Sequence, residues 1–177
     1  FTDPSAMGLY FMGSMVLFEK SERVLDSIAV SPVTSRDYVL SKLLSIGLLS
    51  VAVGLALGLS ADVARHPLAF LTGLFLGSCL FSSAGLITAC KIATLNQFIL
   101  ATIPSEILIN VPAIAWLFGY RPGWLLFHPG ACMMALCSGQ GPLFPAFACL
   151  LLWTALLAVL AQRTVQKMLR SVGGMKL

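Results

Sequence analysis

The run LLSIGLLSVAVGLALGLS, residues 43–60, has no charged side chain and decides the class of this protein. An α-helix rises about 1.5 Å per residue, so roughly 20 apolar residues cross the hydrocarbon core of a membrane. Lys42 directly precedes the run and marks the point where the chain meets the polar region of a bilayer. We therefore predict a transmembrane helix here, over about 38–60.

The composition of the whole chain also indicates that most of it is surrounded by lipid. Of its 177 residues, 58% are hydrophobic and 10% are charged, with a mean hydropathy of +0.93. A water-soluble domain of this size needs many more polar residues to cover its surface. The five cysteines include no C-x-x-C pair, so we expect neither a disulfide-stapled fold nor a cysteine metal site. The net charge of +4 is explained below by membrane topology, so no nucleic-acid partner is expected.

Charged residues divide the chain into membrane-sized segments. They predict an all-α integral membrane fold with five transmembrane helices, forming a single domain over 1–177. The long charge-free stretch after Arg121 is interrupted at His128-Pro129-Gly130 and again at 139–142, which predicts external re-entrant half-helices over 119–142. Its part from Trp124 to Ser138 would serve either as a pliable external gate or as a plug that fills the bundle. The predicted spans are 4–18, 38–60, 67–90, 96–118 and 143–162.

The orientation follows from the positions of the basic residues, because cytoplasmic loops are enriched in Lys and Arg. If segment 19–37 is cytoplasmic, two basic residues, Arg65 and Arg121, lie outside and nine lie inside. The nine are Lys20, Arg23, Arg36, Lys42, Lys91, Arg163, Lys167, Arg170 and Lys176. The chain is therefore expected to begin outside the cell (inner or plasma) membrane and to end in the cytoplasm. An external start also suggests that an earlier helix precedes Phe1.

Segment 19–37 combines apolar and charged residues at helical spacing. Val24, Leu25 and Ile28 share one face of a short helix, which predicts an amphipathic helix on the membrane surface. The opposite face carries Glu22, Arg23 and Asp26. Such a helix commonly anchors a loop to lipid, and its function as a transmitter of motion is the alternative.

The exit from this helix has two local signals. Ser31-Pro32 is expected to end it, since proline cannot continue the hydrogen-bond ladder and restricts the residue before it. Thr34 followed by Asp37 resembles a capping box, the arrangement that starts a new helix. The result is a rigid elbow that joins two long helices.

The residues of this segment also carry a family resemblance. The patterns are Glu19-Lys20-x-Glu22-Arg23, then Leu25-Asp26-x-Ile28-x-Val30-Ser31-Pro32-Val33, then Tyr38-x-Leu40-x-Lys42. They closely resemble the segment between the second and third helices of ABC-2 type permeases, the transmembrane subunits of a class of ABC exporters. Asp3-Pro4 with Gly8 and Gly13 is most similar to the fluoroquinolone-type export permease branch. Many members have Gly-Thr in place of Arg23-Val24 and Glu in place of Asp26.

The resemblance implies a function for the elbow. It implies a coupling helix that docks in a groove of a separate ABC ATP-binding subunit, with Ser31, Pro32 and Val33 as its exit turn. The implied docking residues are Glu19, Lys20, Glu22, Arg23, Leu25, Asp26 and Ile28. The family has six helices, so this chain would contain the last five.

The resemblance further implies an exporter that moves a small hydrophobic or amphipathic molecule by alternating access. Its partners would be the ATP-binding subunit, a second permease copy in a homo- or heterodimer, and the lipid bilayer. The chain itself has no phosphate-binding loop, so it is expected to bind no cofactor, and ATP and Mg would be on the partner subunit. We expect a transporter subunit and not an enzyme. The alternatives are a secondary transporter or a structural membrane subunit.

Within the spans, glycines and one acid stand out. Gly54-x-x-x-Gly58 and Gly73-x-x-x-Gly77 permit close helix packing in lipid, and they are expected to face each other across a hairpin. Glu106 is a charge deep in the fourth predicted span, where an ionised group is costly. Asn110 lies one turn further along and is placed to hydrogen-bond Glu106. The pair is predicted either to line the translocation path or to form an interhelical polar tie.

The remaining candidates are the cysteines and the basic tail. Cys132 and Cys137 fall on the predicted external side, where a disulfide is chemically allowed. The simpler interpretation is that they are small apolar side chains that pack inside the bundle. The tail carries Arg163, Lys167 and Arg170, which are expected to touch anionic lipid.

Overall fold

The computed structural model describes the backbone of residues 2–29, 31–61 and 67–172, and the side chains of residues 7–29, 31–58 and 67–170. The helices are α1 (Thr2–Ser21), α2 (Val24–Ala29), α3 (Ser35–Ala61), α4 (Pro67–Lys91), α5 (Leu95–Leu117), a 3-10 helix (Gly123–Phe127), α6 (Pro129–Ser138) and α7 (Leu143–Val172). All regular elements in these ranges are helical, so the predicted all-α class is confirmed. Four helices, α3, α4, α5 and α7, are long and apolar enough to cross a membrane.

The predicted first span corresponds to α1. Leu9, Met12 and Val16 recur at helical spacing on one face of α1, and all three are buried. Asp3 and Pro4, which carry part of the family resemblance, lie outside the described side chains, and residues 62–66 lie outside the described residues. That α1 crosses the membrane stays a prediction, and so does the total of five spans.

The central helix of the bundle is α4. Helices α1, α3, α6 and α7 all pack against it. Small residues make this possible, because they let neighbouring backbones approach closely where lipid provides no hydrophobic drive. Those buried on α4 include Gly73, Gly77, Ser78, Ser82, Ser83 and Gly85.

Glycines allow α1 and α4 to pack closely. A Cβ atom added at Gly85 would lie 2.4 Å from the carbonyl oxygen of Leu9, and one added at Gly8 would lie 2.7 Å from Ser82 Oγ. Both distances are well below van der Waals contact. At Gly85 the neighbour is a backbone atom, so only glycine fits there, whereas a Cβ atom at Gly8 would force the Ser82 hydroxyl to move. The sequence signal for this contact was the row Ser78-x-x-x-Ser82-x-x-Gly85 on α4, which we did not single out.

The glycine motifs of α3 and α4 pack differently from the expectation. A Cβ at Gly54 would lie 2.3 Å from Leu74 Cδ1, so this glycine of α3 receives a large side chain of α4. At Gly58 the neighbour is likewise large, the ring of Phe70. A Cβ at Gly73 would instead lie 2.9 Å from Leu136 Cβ on α6. The prediction that the two motifs face each other is therefore wrong at these positions, because spacing shows which residues share a face but not which helix covers it.

After α5, the short helix α6 lies between the two predicted breaks, and a 3-10 helix precedes it. His128 caps α6 by accepting a hydrogen bond at Nδ1 from the Gly130 N–H (3.3 Å), and Gly139, with φ of 64°, ends the helix. Every residue from Pro129 to Cys137 is buried among α4, α5 and α7. Of the two alternatives for this region, the burial favours the plug.

Candidate functional site

The elbow between α1 and α3 has the predicted outline. α1 ends at Ser21, the short helix α2 follows over Val24–Ala29, and α3 begins at Ser35. Ser31 closes the end of α2, since its N–H (3.2 Å) and its Oγ (2.9 Å) both donate to the carbonyl oxygen of Ile28. Pro32 is exposed in the turn that follows.

A capping box starts α3, as the sequence predicts. The N–H of Asp37 donates to Thr34 Oγ1 (3.3 Å), while the N–H of Thr34 donates to Asp37 Oδ2 (3.2 Å). The hydroxyl of Thr34 also donates to the same carboxylate oxygen (2.7 Å). These bonds satisfy donors that a helix start leaves free, and so they fix the angle at which the elbow enters α3.

The entry to α2 is a left-handed turn at Arg23. Arg23 has φ of 54° and is the one non-glycine residue with positive φ in the part of the chain that the structure describes. Glycine adopts this conformation without steric cost. The geometry therefore accounts for the glycine that the family resemblance gives at this position.

We predict that Arg23→Gly raises the free energy of unfolding by up to about 1 kcal/mol, whereas Arg23→Val lowers it by about 1–2 kcal/mol. Valine is branched at Cβ, so it fits the left-handed conformation worse than arginine does. Thermal unfolding of the detergent-purified protein measures both variants. Equal stability of the glycine and valine variants would contradict a left-handed turn at this position.

The exposed face of α2 is charged and its inner face is packed. Leu25 is only 2% exposed, Ile28 is half-buried, and Glu22, Arg23 and Asp26 are exposed. α2 packs against α1 and also against α7. The elbow is thus supported from two sides and presents charges of both signs outward.

The support from α7 was not foreseen. α7 continues to Val172, ten residues beyond the predicted end of the last span at 162. On this extension Val165 and Met168 are buried, so part of the predicted lipid-facing tail packs against protein.

Two residues of the predicted docking set point into the bundle. Glu19 lies in the last turns of α1 and accepts a hydrogen bond from the Tyr38 hydroxyl (2.5 Å) while forming an ion pair with Lys42. Both partners are on α3, one turn apart. Glu19 therefore ties α1 to α3 and is not part of the exposed docking face.

Lys20 makes the matching connection to α4. Its Nζ donates to the carbonyl oxygens of Ala89 (2.5 Å), Cys90 (3.0 Å) and Ile92 (2.9 Å). Ala89 and Cys90 lie in the last turn of α4 and Ile92 directly follows it. A helix end of this kind has acceptors without partners and a partial negative charge. Lys20 thus caps α4, and the last turn of α1 is fixed to two long helices at once.

Glu106 has a different partner from the one predicted. The hydroxyl of Tyr10 on α1 donates to Glu106 Oε2, which joins α1 to α5. Among the described residues, the side-chain partner of Glu106 is Tyr10 and no hydrogen bond joins Glu106 to Asn110, whose Oδ1 is buried without a partner. The position of Glu106 on its own helix was readable from the sequence, but Tyr10 was missed because it is 96 residues away.

The cysteines form no disulfide, and the described residues contain no cluster that could bind a metal. All five cysteines are free thiols, and Cys132 donates to the carbonyl oxygen of Leu126 (2.8 Å). Cys132 and Cys137 therefore do not pair. Across the described ranges, no three side chains of His, Cys, Asp or Glu come together as a possible metal site.

The fold defines an all-helical multi-pass membrane protein, and comparisons with known proteins support a permease. The chain is 27% identical over 143 residues to the Fluoroquinolones export permease proteins of two Mycobacterium tuberculosis strains. The alignment covers 80% of this chain, which spans 56% of the length of each of these relatives. No family model and no solved structure matches. The relatives' name supports a permease of the export type, a transporter and not an enzyme, in agreement with the resemblance that the elbow residues carry.

Proposed function

We propose that this chain is a transmembrane subunit of an ATP-driven ABC exporter. The ATP and Mg would be bound by a separate ATP-binding subunit, and two permease copies would alternate access to the two sides of the cell membrane. The observation that carries the proposal is the elbow, a short helix with a charged outer face. It is fixed by the bonds of Ser31 at its exit, by the capping box of Thr34 and Asp37, and by two tethers, the connections that Glu19 makes to α3 and Lys20 makes to α4. A surface anchor for lipid needs none of these fixed connections.

The tethers define how motion passes from the elbow into the membrane. A displacement of α2 would move the end of α1. The contacts of Glu19 would transmit this movement to α3, and those of Lys20 would transmit it to α4. Because α4 contacts α1, α3, α6 and α7, a tilt of α4 repositions most of the bundle. Rigid-body motion of packed helices is a common way to convert a local event into alternating access.

The proposed cargo is small and hydrophobic or amphipathic, like the fluoroquinolones in the relatives' name. We place its path beside Glu106 and Asn110, with Tyr10 added from the structure. A carboxylate in a span interior favours cationic groups, which amphipathic amines supply. In this proposal the elbow and the C-terminus are cytoplasmic and the chain's start is external.

The docking of α2 is tested by reversing its exposed charges. We expect Glu22→Arg with Asp26→Arg to reduce about tenfold the ATP-binding subunit that co-purifies with the tagged permease from source-cell membranes, since interface charges select partner and orientation. Exposed positions are preferred because replacing the buried Leu25 would perturb the fold itself.

The matched control is Lys91→Glu, which reverses an exposed charge at the same end of the bundle on α4. It should leave co-purification unchanged. Full retention of the ATP-binding subunit by the Glu22 and Asp26 double variant would overturn the docking assignment.

A further inference from the structure

A polar cleft opens between the start of α3 and the end of α7. Its volume is about 530 Å³. The residues that line it are Thr34, Ser35, Arg36, Val159, Gln162, Arg163 and Gln166. None of these lining residues is acidic, so the cleft offers hydrogen-bond donors and positive charge from two different helices.

The two arginines of the cleft are available for a ligand. Over the described side chains, the single ion pair is the one between Lys42 and Glu19, so neither Arg36 nor Arg163 is neutralised by a carboxylate. The nearest acid in the sequence, Asp37, is occupied by its bonds to Thr34. Two guanidiniums that line one cleft offer the donors that a phosphate accepts in bidentate hydrogen bonds.

The position of the cleft favours the phosphate of a lipid headgroup over a free phosphate. Its lining includes Arg36, just before the predicted span 38–60, and Gln162, the last residue of the predicted span 143–162. With these predicted spans, the cleft would lie where two long helices leave the hydrocarbon, at the depth of lipid headgroups. Val159, which also lines the cleft, is exposed, and so are its neighbours Leu156 and Leu160 on α7, where an acyl chain would continue.

We propose that this cleft binds the phosphate headgroup of an anionic phospholipid, held by Arg36 and Arg163. Basic pockets between transmembrane helices are suited to such headgroups. A bound lipid would connect α3, which follows the elbow in the chain, to α7, which packs against α2. An acidic surface of a partner protein is the less suitable occupant, because the cleft is recessed between two helices while the exposed charges of α2 lie outside it.

The test uses the full-length protein purified in detergent, without any ATP-binding subunit, so its outcome is independent of the proposed docking. Binding of phosphatidylglycerol is titrated by native mass spectrometry, with phosphatidylcholine as the neutral comparison lipid. We expect Arg36→Gln with Arg163→Gln to weaken phosphatidylglycerol binding roughly 30-fold, since each basic residue contributes an electrostatic attraction near an anionic headgroup. Arg36→Lys with Arg163→Lys should retain most of the binding.

The matched control removes two exposed charges from the same region of α7, Lys167→Gln with Arg170→Gln. It should weaken binding much less than the cleft variant, whereas equal losses would mean general attraction to charge and would overturn the site. Phosphatidylcholine binding as tight as phosphatidylglycerol binding, or full competition by inorganic phosphate alone, would also overturn the lipid assignment. In the separate co-purification assay from source-cell membranes, a cleft variant that keeps its lipid but loses the ATP-binding subunit would assign the cleft to the partner instead.

Discussion

Gly85→Ala is expected to lower the free energy of unfolding by about 3 kcal/mol, at the upper end of the usual cost of overpacking. The added Cβ atom would lie 2.4 Å from the carbonyl oxygen of Leu9, a backbone atom that cannot rotate away. α1 would have to move off α4, and the contact that Gly8 makes with Ser82 would open as well. Thermal or denaturant unfolding of the purified protein in detergent measures the loss.

The control for this prediction is Gly123→Ala, in the 3-10 helix. A Cβ atom at Gly123 would have no neighbour within 4 Å, so its stability should change by less than about 0.5 kcal/mol. If Gly85→Ala proved as stable as Gly123→Ala, the close approach of α1 to α4 would be incorrect. Gly130→Ala is a second test of the same kind, because its Cβ would lie 1.9 Å from the carbonyl oxygen of Ile109.

Lys20→Met is expected to cost about 2–3 kcal/mol of stability, because charge-assisted hydrogen bonds to otherwise unpaired groups are among the strongest in proteins. The methionine side chain keeps the length and the apolar stem of lysine but cannot donate to Ala89, Cys90 and Ile92. The carbonyls at the end of α4 would lose their cap, and α1 would lose its tether to the central helix. Unfolding in detergent gives the stability.

Lys91→Met is the matched control, since Lys91 lies in the last turn of α4 and its side chain is exposed. Loss of an exposed charge near a helix end costs about 0.3–1 kcal/mol. A Lys20 variant no less stable than the Lys91 variant would show that the cap does not hold α1 to α4. It would also remove one of the two connections through which the elbow is proposed to act.

The two tethers explain why the docking set was too broad when read from sequence. Glu19 and Lys20 are charged and adjacent to the elbow, and in sequence they look the same as Glu22 and Asp26. Their partners are 23 and about 70 residues away along the chain. Only the fold shows that the first two charges are internal connections and that the other two face outward.

The elements that the sequence determined by itself are local ones. The capping box at Thr34, the end of α2 before Pro32 and the breaks on either side of α6 all depend on groups within about four residues, where backbone sterics and nearby hydrogen bonds decide the outcome. The apolar runs, likewise, follow from the length of helix that a bilayer demands.

The tertiary structure decided which helix is central and which partners the polar groups find. α4 and α5 are both long and apolar, yet α4 is surrounded by other helices and α5 lies at the edge. In lipid, the inner and outer faces of a helix are similarly hydrophobic, so periodicity does not separate them as it does in water. The difference comes from small residues such as Gly8 and Gly85, whose effect depends on the surface that faces them.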